Sequence, residues 1–304
     1  MCRGLQGVSW ALMLWGVGAT MGTAWASLSG IVPEGAEVER IATGFEFTEG
    51  PAYDRHGFLY FSDIPANRIY RIAEDGTVSV FQEPSGKSNG LVFDKDGSLL
   101  ACRHWERDVA RILPDGTLKV LADAYQGRKL NSPNDCAVAA DGAVYFTDPG
   151  YGLEGRPSEQ DAEAVYRLAP DGTVTRVVND MTKPNGIFVS PDGKTLYVAD
   201  SEECIIRAYP LNADGSAGPG RTFADMKSEA EGVPDGMTLD EKGHIYCTGG
   251  GGIWVFTPDG EHLGTIPVPE VPANCTFGGP GNTTLYITAR HSVYRIELLV
   301  PGLW

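Results

Sequence analysis

Six polar residues recur at one point of a repeated pattern, and every one can offer a side-chain oxygen: Glu49, Asn89, Asn134, Asn185, Asp235 and Asn274. None of the six is Lys, Arg, Cys or His. A ring of carboxylate and amide oxygens is the donor set of one hard divalent cation. Calcium fits it best, and manganese, iron(II), zinc or magnesium could occupy the same ring. Glu49 and Asp235 bring two negative charges, which match such an ion without excess repulsion. The plainer reading is that Asn and Asp cap turns where the chain enters a strand. Capping accounts for one or two such residues, and less well for six in phase with a Glu among them.

The pattern that carries these residues predicts the elements that must position them. Each one opens a segment with a shared grammar: a short apolar strand, a turn with Asp or Gly, and a second strand. The segments read EGPAYDRHGFLYFSD, NGLVFDKDGSLLACR, NDCAVAADGAVYFTD, NGIFVSPDGKTLYVAD, DGMTLDEKGHIYCTG and NCTFGGPGNTTLYIT. In the first five a glycine falls eight residues after the opener, at Gly57, Gly97, Gly142, Gly193 and Gly243. Successive openers lie roughly 40 to 50 residues apart, the size of one four-stranded propeller blade. Third strands follow, such as NRIYRI, AVYRLA and GIWVFTP. The expected fold is therefore all-β, a six-bladed β-propeller. The last repeat shows three clear strands, and residues 37–45, ahead of the first repeat, would add its outer strand and close the ring. Closure removes the free sheet edges that an open end would expose.

With openers at the start of each innermost strand, all six project into the central channel from one face. The second strand climbs back to that face, bringing Asp63, Arg103, His104, Asp148, Asp200, Arg290 and His291 toward it. Asp63, Asp148 and Asp200 share one repeated position and read as structural caps. Arg103 and His104 break the repeat, which makes them candidates for substrate contact. The longer loop from Pro149 to Ala164, with Tyr151, is the candidate lid. Gly249–Gly252 lies between two strands and reads as a tight turn, not a phosphate cradle.

Composition narrows the partners. The chain has 304 residues, 39 of them Gly and 20 Pro, and a formal net charge of −16. A polyanion of this strength is repelled by nucleic acid and by anionic lipid, so neither is expected as a partner. Residues 1–26 differ from the rest: Arg3 is their only charge, an apolar run follows from Val8, and Ala24-Trp25-Ala26 offers a small-x-small cleavage site. This predicts a signal peptide, a mature start at Ser27, a propeller domain over 27–304, and a periplasmic or secreted protein without a membrane anchor. The five later cysteines are dispersed and lack C-x-x-C spacing, so no disulfide framework or zinc knuckle is indicated.

The stretches FTEGPAY, PSGKSNGLVFDKDGSLLACRH, NSPNDCAVAADGAVYFTDPGYGL, KPNGIFVSPDGKTLYVAD, VPDGMTLDEKGHIYCTGGGGIWVF and VPANCTFGG run through nearly all of residues 45–296. Together they resemble the regucalcin/gluconolactonase/luciferin-regenerating-enzyme family of six-bladed propellers, with its bacterial gluconolactonases as the nearest likeness. By that resemblance Glu49, Asn185 and Asp235 match the family's metal ligands. Asn134 matches its substrate-contacting Asn, which also reaches a metal in the diisopropyl fluorophosphatase subgroup. Regucalcin-type members carry an Arg where this chain has Ser132, so sugar recognition must differ, with Asn89, Arg103 and His104 as the available groups. The implied reaction is metal-dependent hydrolysis of a sugar lactone resembling glucono-1,5-lactone to the aldonic acid. A cation there would polarise the carbonyl, and the attacking water would sit on the ion or be oriented by Asp235 as general base. No G-x-S-x-G elbow is present, which counts against a serine hydrolase. Two other classes stay open: a metal-dependent phosphotriesterase, and a noncatalytic binding propeller that keeps its cation for stability.

Overall fold

The structure is a computed structural model that describes residues 28–303. The export leader read over residues 1–26 lies outside the described residues. Among those described, six antiparallel four-stranded sheets form, each built on one repeat. The first runs outward through Thr48–Tyr53, Leu59–Asp63, Arg68–Ile72 and Val78–Gln82. The sixth is made of Asn274–Gly278, Thr284–Ala289 and Ser292–Glu297, with Glu39–Thr43 paired antiparallel on its outer edge. The N-terminal strand thus closes the ring as the sequence predicts.

Both faces of the middle strands are buried, which explains their unbroken apolar runs. Leu99 packs with Tyr60 and Leu91 in the seam between the first two blades, while its neighbour Leu100 packs with Val144 and Phe146 in the next seam. Every seam holds one apolar cluster. The closing seam joins Leu59, Phe61 and Ile72 of the first blade to Tyr286 and Val293 of the last. Stability is therefore lodged between blades, leaving the channel free for polar side chains.

Two devices set the inner strands around the axis. A glycine follows the opener in four blades because the strands converge there: a Cβ at Gly50 would lie 2.0 Å from the Asn89 carbonyl oxygen, and one at Gly186 2.1 Å from that of Asp235. The repeated aspartates hold the incoming loops. Asp63 accepts from the backbone N–H groups of Glu46 and Phe47 at 3.1 and 3.0 Å, and Asp148 from those of Asn131 and Ser132 at 2.8 Å each. Asp200 accepts from Thr182 and Lys183 at 2.8 and 3.1 Å. Their reading as caps holds, and each cap fixes the segment that leads into an opener. Gly249 and Gly252 face each other at the end of a hairpin, a turn as expected.

Candidate active site

At the mouth of the channel lies a cavity of about 430 Å³. Glu49, Asn89, His104, Asn134, Asn185 and Asp235 all line it, so six of the eight residues singled out from sequence, the openers with Arg103 and His104, come together. Arg103 does not. Its guanidinium makes a two-pronged ion pair with Asp108, Nε to Oδ1 at 2.7 Å and Nη2 to Oδ2 at 2.5 Å, in a buried setting away from the cavity. The expectation that Arg103 contacts substrate is corrected on that ground, because the guanidinium is turned to Asp108 and Arg103 does not line the cavity.

Asn274 also departs from expectation. It lies on the axis beneath the cavity, where its Oδ1 accepts from the Cys275 N–H at 2.8 Å and its Nδ2 donates to Asp135 at 3.4 Å. Both ends of the amide are spent. Asp135 itself is an axial residue that the sequence reading missed. It stands at the position after an opener, where four blades have glycine, and that replacement was the available signal. Burial holds its carboxyl up, to about 6.

Of the carboxylates that line the cavity, Glu49 and Asp235 titrate high. Burial is the largest cause for each; the charge of Asp135 raises Glu49 further, and the charges of Glu49 and Asp135 do the same for Asp235. Carboxylates that resist ionising side by side are relieved by a cation between them. The amides supply the matching observation. Asn185 Nδ2 donates to Ser201 Oγ at 3.0 Å, and Asn89 Nδ2 pairs with His104 Nε2 at 3.3 Å. In both residues Oδ1 is buried and finds no hydrogen-bond partner among the described residues. A buried carbonyl-type oxygen without a donor is costly unless something electropositive occupies the space before it. Glu49, Asn185 and Asp235 therefore fit a hard divalent cation, with oxygens only.

His104 is buried, and burial lowers its pKa to about 4, so the ring is neutral near pH 7. A neutral ring whose Nε2 accepts from Asn89 carries its proton on Nδ1. The lid packs directly on it: a Cβ at Gly152 would come within 2.4 Å of the His104 Cβ, so only glycine fits there. Arg156 staples the lid down. It donates to the carbonyls of Trp105 and Gly152 at 2.7 Å each, of Leu153 at 2.9 Å and of His104 at 3.2 Å, and it stacks over the Trp105 ring at 4.4 Å. Ser132 is a further anchor, donating to the Pro149 carbonyl at 2.6 Å and accepting from the Gly152 N–H at 2.9 Å. It is fully buried and works on the lid instead of on the cavity. The two cations that line the cavity have carboxylates of their own: Lys183 pairs with Glu163 at 2.6 Å, and Arg290 with Glu231.

These features define a β-propeller with an acidic, amide-lined site at one mouth of its channel. Comparison with known proteins gives the class a family. Residues 47–291 match the family described as the SMP-30/Gluconolactonase/LRE-like region, and the chain belongs to it. It is 36% identical over 303 residues to a gluconolactonase of Zymomonas mobilis, covering 90% of this chain and 85% of that protein. It is 30% identical over 255 residues to a pentonolactonase of Haloferax volcanii, covering 82% and 83%. A solved gluconolactonase from Xanthomonas campestris superposes with a TM-score of 0.84 at 35% identity, covering 90% of this chain and 93% of that one.

Proposed function

We propose that the protein hydrolyses a neutral sugar lactone, glucono-1,5-lactone or a close analogue, to its aldonic acid, with a divalent cation held by Glu49, Asn185 and Asp235. The observation that carries this reading is the pairing of orphaned amide oxygens with two carboxylates in one cavity. The gluconolactonase and pentonolactonase names of its relatives point to the same reaction. When bound, the cation would supply Lewis acidity toward the lactone carbonyl. Calcium suits the all-oxygen set.

The chain's own residues do the rest. Asp235 takes a proton from the attacking water as the water oxygen bonds to the carbonyl carbon. The ring C–O bond then breaks as Asp235 returns that proton to the ring oxygen, which leaves as the alcohol, and the carbonyl carbon becomes the carboxylic acid. Asn134 offers its amide to substrate hydroxyls. Asn89, with its nitrogen occupied by His104, offers Oδ1 as an acceptor. A site that hydrogen-bonds hydroxyls rejects analogues without them, since its polar groups would stay unpaired. The leader-like residues 1–26 support action outside the cytoplasm, with a mature start at Ser27 that N-terminal sequencing of the native protein checks.

The test is pH-stat hydrolysis of a lactone panel, corrected for spontaneous opening, before and after chelation and with each added metal. Glucono-1,5-lactone should open far faster than unsubstituted δ-valerolactone, and chelation should abolish the difference. No rate above background on any sugar lactone would overturn the reading.

A further inference from the structure

Beside the proposed ligands stands a side chain that neither the repeat nor the reaction requires. Ser201 follows the cap Asp200 in the fourth blade, is buried, and lines the cavity. Its Oγ lies 3.0 Å from Asn185 Nδ2 and 2.7 Å from the carbonyl oxygen of Pro234, the residue before Asp235.

Counting hydrogens settles the polarity of this junction. A serine hydroxyl has one hydrogen and two acceptor positions. The Pro234 carbonyl can only accept, so the Ser201 hydrogen goes to it. Asn185 must then donate to the Ser201 oxygen through its amide nitrogen. Asn185 is thereby held with Oδ1 turned to the cavity, where that oxygen is buried and unpartnered. In the flipped amide, Oδ1 would compete for the hydrogen that Pro234 needs, and the NH2 group would face the cavity.

We infer that Ser201 is a positioning residue: it fixes the face of Asn185 and joins that side chain to the Asp235 segment. The inference rests on the cation reading above and adds a residue to it. Partners that orient a ligand typically govern metal affinity by about 10–100-fold. Blade packing does not pass through Ser201, so folding should not.

Calorimetric titration of the full chain with Ca²⁺ and with Mn²⁺, beside thermal melts of the metal-free protein, tests this. Ser201→Ala should weaken affinity by roughly 10-fold or more with little change in melting temperature. Ser201→Thr, which keeps the hydroxyl, should stay near wild type. Should Ser201→Ala fail to fold, Ser201→Cys carries the same expectation, because a thiol is a poor acceptor. Wild-type affinity in a folded Ala or Cys variant overturns the role of Ser201 alone. If the wild-type protein binds neither ion, the cation reading falls, and this inference with it.

Discussion

Asn185 and Asn274 open their blades at the same point of the repeat, yet only Asn185 has an oxygen to give. In the fourth blade the amide nitrogen is held by Ser201 and Oδ1 is left bare; in the sixth, the Cys275 N–H occupies Oδ1 and Asp135 takes the nitrogen. Asn89 in the second blade repeats the first arrangement with a different holder, the neutral ring of His104. Residue type and phase thus nominate candidates for the axis, and the neighbour on the amide nitrogen decides which of them can accept a cation or a hydroxyl. Aspartate in the position after the opener, where four blades have glycine, adds a buried carboxyl at the third blade.

The comparison breaks first at the base. Asp235→Asn keeps a coordinating oxygen but cannot take a proton, so kcat under saturating metal should fall on the order of 100- to 10,000-fold, read in the lactone assay. A rate within a few-fold of wild type would remove Asp235 from that role.

Next comes the contrast itself. Asn185→Ala should weaken Ca²⁺ or Mn²⁺ binding by about 100-fold or more, while Asn274→Ala should leave affinity within roughly threefold, because its oxygen is already committed. Equal losses at the two positions, measured by calorimetry, would mean that the orphaned oxygen is not what distinguishes them.

The smallest effect concerns the holder in the second blade. His104 sits at about 4 in the fold against an ordinary 6.5, with burial as the cause. Below pH 6.5 the unfolded chain takes up a proton that the folded ring refuses. The native state therefore loses stability as pH falls from 6.5 toward 4, by up to about 3 kcal/mol, and the loss is absent above that window. His104→Gln keeps an acceptor for Asn89 and has no proton to gain. In denaturant melts at pH 7.5 and 4.5, wild type should lose more stability than this variant; parallel losses would show that His104 does not set the slope.

The ring closure, the phase of the openers and the role of Asp63, Asp148 and Asp200 were legible because each is local or periodic. A repeat reports its own strand order, and a cap lies within 20 residues of what it caps. Arg103 was misread for the converse reason. It breaks the repeat, and a broken repeat signals a special contact without saying with what; the partner is Asp108, across the hairpin turn, and the pair is structural.

Sequence alone determined the architecture of this protein and the inventory of oxygens on its axis, since blade size, strand alternation and opener chemistry are written in each repeat. Tertiary structure alone decided which oxygens remain unsatisfied, that Asp135 enters the axial group, and that Ser201, His104 and the Arg156-stapled lid hold the site. These outcomes depend on hydrogen-bond partners from different blades. A donor or acceptor can be counted as spent only once the ring has brought its partner within about 3 Å, and one repeat carries no record of what the next will offer it.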